Sequence, residues 1–592
     1  MAEFFAELKR RQMFRVAAVY AVVAWLLLQV VNNLTPGLNL PNWVATSVIV
    51  VLALGFPVAL IFAWIHQLAP ADGATARAKA SGLDWALVGG LGIVILLIGY
   101  QQIAQTRQTG VDAAREAALN PRTGVSLAVL PFANLSGDET QGFFSDGITE
   151  EIITALARIP DLRVVARESA SQFKGQRRDL RAVGQSLGAT HLIEGSVRKA
   201  GARVRITARL VKADDGVNAW TNSYDRELTD VFAIQEDIAT AIAGALRMPL
   251  GLKPGEQLVA NRAIDPESYQ QFLRGKAALG RARNAYTEQL AFLEPVVQKN
   301  PGYAPAWAAL SRSYGFAALV STESIASRDM YRAKSSAAAQ RAVELDPNLL
   351  EGQVEQARTL RVAGNWARSE DVLLNALMLD PNSPEALAAY SGMLLAMGRL
   401  KEGLALRERL FAVEPYIPVY NGNLAQARWL NGQTDAAISL FKALLDNQGA
   451  GARADLSQIY ASLGRYAEAA DVVEEMLSSQ RNEPYREIIS ATAQLLRSAP
   501  TNVLEPEKLP RLAEGSFAYL HVGAPGRVLD FYEEGTRGAG EYAVLWHASY
   551  APVRKTERFQ KLVRELGLVD YWRERGWPDL CRPIGADDFE CS

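Results

Sequence analysis

Three long apolar runs open the chain, and the patterning that follows them is different. Segments 14–34, 43–66 and 85–104 contain no Asp, Glu, Lys or Arg apart from Arg15 at the edge of the first. A helix needs about 20 residues to cross a bilayer, so the pattern predicts three transmembrane helices over 14–104. Trp25, Trp43, Trp64 and Trp85 include several at run ends, where amphipathic rings suit the headgroup zone. Pro57 would kink the second helix. Two further runs directly behind the first argue against a cleaved signal peptide. Six basic residues (Lys9, Arg10, Arg11, Arg15, Arg77, Lys79) face three (Arg107, Arg115, Arg122) across these flanks. That bias makes residues 1–13 cytoplasmic and puts 105–592 outside.

Residues 105–124 are polar, include Asn120-Pro121 and read as a linker. Over 125–250 short strands and helices alternate. Val125–Phe132 is a strand-like run stopped by proline, and Ile148, Ile152, Ile153 and Leu156 then fall at helical spacing. Leu162–Ala166 predicts a second strand and Leu180–Leu187 another helix. In Ala202–Val211, Val204, Ile206, Ala208 and Leu210 alternate with Arg203, Arg205, Thr207 and Arg209, the period of a half-buried strand. It pairs with His191–Lys199 through a tight turn, Asn218–Tyr224 follows, and a helix from Val231 to Leu246 closes an α/β (α+β) layer domain. Ala128-Val-Leu-Pro-Phe132, Phe143–Glu151, Val165-Ala-Arg-Glu-Ser169 and Leu192–Arg198 through Trp220 resemble the TolB-like amino-terminal domain. The resemblance implies a non-enzymatic module on the periplasmic side of a bacterial inner membrane, followed by tetratricopeptide repeats. Some relatives carry an adenylate cyclase or a winged-helix DNA-binding domain at the N-terminus. Only about 13 residues precede the first run here, too few for either.

Beyond residue 266 the apolar positions follow a helical period and the punctuation repeats. Pro347, Pro381 and Pro415 lie 34 residues apart, each ending an acidic phrase. That period resembles the tetratricopeptide repeat, a helical hairpin whose second helix stops before proline. Trp307, Leu310 and Tyr314 suit a first helix, Leu373 and Ala376 a second, and Gly464–Ala469 a turn and second-helix start. About six units over 266–480 would form an all-α solenoid. Pro301 to Pro347 holds a surplus of about 12 residues, expected as a loop near 321–328. Register places Arg312, Arg358, Arg361, Gln426 and Trp429 along the inner stripe, where the arginines either form a solvated basic face or clamp an acidic or C-terminal carboxylate segment.

Residues 485–592 read as an irregular helical cap, and Cys581 and Cys591, the chain's two cysteines, as a disulfide. Net charge is −2, which gives no general attraction to nucleic acid. The letters Gly184-Gln-Ser186-Leu-Gly188 fit a nucleophile elbow but sit between a helix and a strand, the reverse of the required order. Asp146, Glu150 and Glu151 read as carboxylates serving a helix N-terminus, and the four histidines form no set. No catalytic residue, metal or cofactor is expected. The sequence thus reads as a multidomain membrane protein: transmembrane helices, a TolB-like α/β domain, then a repeat solenoid. The function it implies is an inner-membrane-anchored, periplasm-facing scaffold for proteins or peptides. The alternative is a sensory or regulatory subunit coupled to a separate adenylate cyclase or transcription regulator.

Overall fold

The computed structural model describes residues 20–25, 52, 55–56, 111, 115–116 and 119. It also describes 125–592, apart from 160, 175–178, 249–263, 279–284, 321–324, 449, 479–482, 534–538 and 586–587. The chain divides into two compact units, residues 1–110 and 111–592. In the first, 20–25 is helical and the Tyr20 hydroxyl donates to the Leu52 carbonyl at 2.7 Å. Among the described residues no helix is long and apolar enough to cross a membrane. The expectation of three spans and an inner-membrane, periplasm-facing chain is corrected on that finding. The remainder of 14–34, 43–66 and 85–104 lies outside the described residues.

The second unit begins with a sheet ordered β3-β1-β4-β5-β6, with β2 beside β4. The strands are β1 (Val125–Val129), β2 (Ala133–Asn134), β3 (Leu162–Val165), β4 (His191–Ala200), β5 (Arg203–Lys212) and β6 (Asn218–Glu227). β1 runs parallel to β3 and β4, and β4-β5-β6 is an antiparallel meander. On β5, Val204, Ile206, Ala208 and Leu210 are fully buried. On the opposite face Arg203 and Arg205 both grip Asp225 of β6, at 2.7 and 2.5 Å. The helices are α1 (Gly142–Ala157), α2 (Arg167–Ser171), α3 (Leu180–Leu187) and α4 (Val231–Ala245). α1 and α4 share one core with the sheet, while α3 packs with Ala128, Val165 and Leu192 in a separate one.

Thirteen helices follow: α5 (Pro266–Ala278), α6 (Ala285–Lys299), α7 (Ala304–Val320), α8 (Ile325–Leu345), α9 (Leu350–Val362), α10 (Trp366–Leu379), α11 (Pro384–Ala396), α12 (Leu400–Val413), α13 (Pro418–Leu430), α14 (Thr434–Gln448), α15 (Ala450–Ser462), α16 (Tyr466–Glu475) and α17 (Glu483–Ser498). α5 to α16 make six hairpins. Gly364, Gly398, Gly432 and Gly464 turn four of them, each with φ between 75 and 81°. A left-handed residue closes the first helix there, and glycine adopts it without a Cβ penalty. Residues 325–328 of the expected loop are helical, while 321–324 lie outside the described residues. The surplus also lengthens the helices, to 17 residues in α7 and 21 in α8, against 13 and 14 in the next hairpin.

The sheet domain and the array are packed together. Tyr269, Phe272 and Leu273 of α5 enter the core of the sheet domain. A Cβ at Gly147 of α1 would meet Leu273 at 2.7 Å, so the close approach requires glycine. The tail after α17 contains 3₁₀ turns, α18 (Leu529–Glu533), α19 (Ala551–Arg554), α20 (Glu557–Glu565), α21 (Leu568–Arg575) and the hairpin β7 (Cys581–Ile584)–β8 (Asp588–Cys591). It runs back along the array as far as α10 and α11. The indoles of Trp546 and Trp572 donate to the Ala396 and Met397 carbonyls at 2.9 and 3.1 Å. Those carbonyls end α11 and have no partner within it. Trp366, at the start of α10, donates to the Leu566 carbonyl at 2.5 Å.

Candidate functional site

The inner stripe comes from the first helices of successive hairpins. Arg312 on α7 is exposed, and Glu355, Glu385 and Glu150 outweigh its partial desolvation and hold its proton more tightly than usual. Arg358 on α9 has its Nε 3.6 Å from Glu355 Oε1, too long for a hydrogen bond. One turn on, Arg361 has a buried Nε with no hydrogen-bond acceptor. Burial pushes this guanidinium down to about 10, and the Arg358 charge adds to the effect. Trp429 is corrected. It is only 2% exposed, its ring stacks on His547 of the tail at 3.9 Å, and its indole donates to Ser462 Oγ at 3.3 Å. The tail covers the part of α13 that the period assigns to the groove. Gln426, on the same helix, is half-buried.

The sequence reading missed Arg407. It lies on α12, a second helix, and its side chain passes beside α11 at Gly392, where an added Cβ would come 3.3 Å from Nη2. Arg407 is 7% exposed, and neither Nε nor Nη1 has a hydrogen-bond partner. Burial pushes it down to about 10; Tyr420 opposes the shift and the Arg361 charge reinforces it. Two guanidinium groups with unmet donors therefore lie close enough to feel each other's charge. The signal available in the sequence was Gly392, a residue small enough to let a long side chain through from behind.

The sheet domain lies against the array beside this stripe. The Ser169 N–H donates to Glu414 Oε2 at 2.8 Å, and the Tyr416 N–H to Ser169 Oγ at 3.2 Å. Burial pushes the Glu414 carboxyl up to about 7. Asp146, Glu150 and Glu151 do not serve the N-terminus of α1, because that helix starts at Gly142 and they fall beyond its first residues. Asp146 pairs with Lys174 at 2.6 Å, and Glu150 with Arg167 and Lys276, both at 2.7 Å. Lys276 belongs to α5, so this last pair joins the domain to the first hairpin. Gly188 ends α3 with φ 59°, a helix cap and no part of an elbow.

A second charged cluster lies under the tail. Glu370 of α10 is fully buried and accepts from Arg115 at 2.6 Å, Tyr390 at 2.8 Å and Tyr571 at 3.1 Å. Arg399 lies 3.7 Å away. Arg115 comes from the segment read as a linker; it is buried, and Val111 and Leu119 pack on the same core. Cys581 and Cys591 stand opposite each other on β7 and β8 and are joined as a disulfide. Closing so short a loop contributes roughly 2–3 kcal/mol in the chain-entropy account.

Residues 428–495 match the tetratricopeptide-repeat family. Over 188 residues, 31% of the chain, the sequence is 42% identical to putative adenylate cyclase 3 of Rhizobium meliloti (strain 1021). The chain spans about a third (32%) of that protein's length. A thermophilic tetratricopeptide-repeat protein of Thermus thermophilus is 20% identical, with 34% of this chain and 94% of that one covered and a TM-score of 0.24. YrrB, described as a tetratricopeptide-repeat protein with an unusual peptide-binding site, is 15% identical over 36% of this chain and 99% of its own, with a TM-score of 0.25. The hairpins after the sheet domain form a tetratricopeptide-like helical solenoid.

Proposed function

We propose that this chain is a non-catalytic protein-interaction scaffold whose inner stripe holds an acidic segment of a partner, with the TolB-like sheet domain as a fixed wall. The observation that carries the reading is the pair Arg361 and Arg407. A buried guanidinium without an acceptor is costly, and the cost is relieved by an anion that enters with it. A carboxylate suits the site because a guanidinium offers it two parallel hydrogen bonds. Arg358, half-exposed, and Arg312, exposed, extend the positive stripe from that pair.

The test is selection of a random 12-residue peptide library on the full chain, beside the Arg358→Glu/Arg361→Glu variant. Enrichment of Asp- and Glu-rich sequences on the parent protein, lost on the variant, supports the reading. Equal recovery on both rejects it. A second reading rests on the relative called a putative adenylate cyclase: the same scaffold would regulate a separate cyclase or transcription regulator by binding it.

A further inference from the structure

Near the end of the array, apart from the Arg361–Arg407 pair, α15, α16, α17 and the turn Ala513–Val522 line a cavity of about 620 Å³. That is ample for a small organic ligand. Val473, Met476, Ile489 and Phe517 give it apolar walls. Its polar wall groups are engaged, with one exception. Gln458 donates to the Tyr550 hydroxyl, the Tyr485 hydroxyl donates to Glu514, and Thr492 Oγ1 donates to the Ile488 carbonyl at 2.8 Å. Asp455 also lines the cavity and has no hydrogen bond or ion pair among the described residues. The nearby cation Arg453 is turned to Glu475, at 3.0 Å.

A carboxylate in an apolar recess costs free energy unless a cation accompanies it. Burial accordingly pushes the Asp455 carboxyl up to about 7. We propose that this cavity binds a ligand combining a protonated amine with an apolar body, the ammonium against Asp455 and the body against Val473, Met476, Ile489 and Phe517. The Arg361–Arg407 pair demands the opposite ligand charge, so the two sites can fail independently.

The test is calorimetric titration of the full chain with 2-phenylethylamine and with 2-phenylethanol, which has the same shape and no charge. The parent protein is expected to bind the amine at least tenfold more tightly than the alcohol, and Asp455→Asn to abolish that preference. Asp455→Asn is nearly isosteric, and its melting curve verifies that it folds. A third arm, the peptide Phe-Ala-Ala-Ala-amide, separates the sources: tighter binding than the amine assigns the site to a chain N-terminus, weaker binding to a free amine. Equal affinity for amine and alcohol, no binding of either, or an amine preference that survives Asp455→Asn would overturn the proposal.

Discussion

Glu370 and the Arg361–Arg407 pair are both buried charge inside one helical array, yet their surroundings are opposite. Glu370 receives three hydrogen bonds, from the segment before the sheet, from α11 and from the tail. Arg361 and Arg407 have nitrogens that meet no acceptor. A fully satisfied buried charge fixes how distant parts of a chain come together, whereas an unsatisfied one marks a place where a ligand completes the structure. The first region is therefore read as architecture and the second as function.

The comparison breaks most visibly at Glu370. Glu370→Ala removes the carboxylate that Arg115 and two tyrosine hydroxyls share, leaving Arg115 with Glu402 at 3.8 Å, and is expected to cost about 3–5 kcal/mol in urea unfolding. A loss under 1 kcal/mol would show that the cluster does not tie the tail to the array. A smaller effect sharpens the contrast through pH. Burial pushes His521 and His547 of the tail down to about 4 from an ordinary 6.5. The unfolded chain binds more protons between those values, so stability is lost as pH falls from 6.5 toward 4, by up to about 3 kcal/mol for each. Glu414, at the contact with the sheet domain, has the opposite sign. Its carboxyl at about 7 binds more protons in the folded state, so its penalty grows as pH rises from 4.5 through 7. His547→Gln should flatten the acid limb of a melting-temperature profile, and Glu414→Gln the neutral one. An unchanged profile would contradict these assignments.

Local periodicity carried what neighbouring residues decide. Alternation on β5 and the 34-residue punctuation of the hairpins were legible because each element buries its own apolar face against the next. Long-range placement was not legible. Trp429 sat at groove spacing, yet a histidine 118 positions later covers it. Arg115 lay in a polar stretch and ends up buried against a glutamate 255 positions away. Arg407 belongs to a second helix, which the repeat pattern assigns to the outside, and its guanidinium lies close against Gly392 of α11. The surplus of the second hairpin read as a loop because counting residues cannot separate a longer turn from longer helices.

The smallest change in stability gives the most direct test. Arg407→Met keeps length and apolar bulk while removing an uncompensated charge, so unfolding free energy should stay level or rise by about 1–2 kcal/mol. In the same variant, titration with an acidic 12-residue peptide selected on the parent protein should show affinity falling at least tenfold. Undiminished peptide affinity, or a stability loss of several kcal/mol, would contradict the assignment of the Arg361–Arg407 pair as the place where a partner is held.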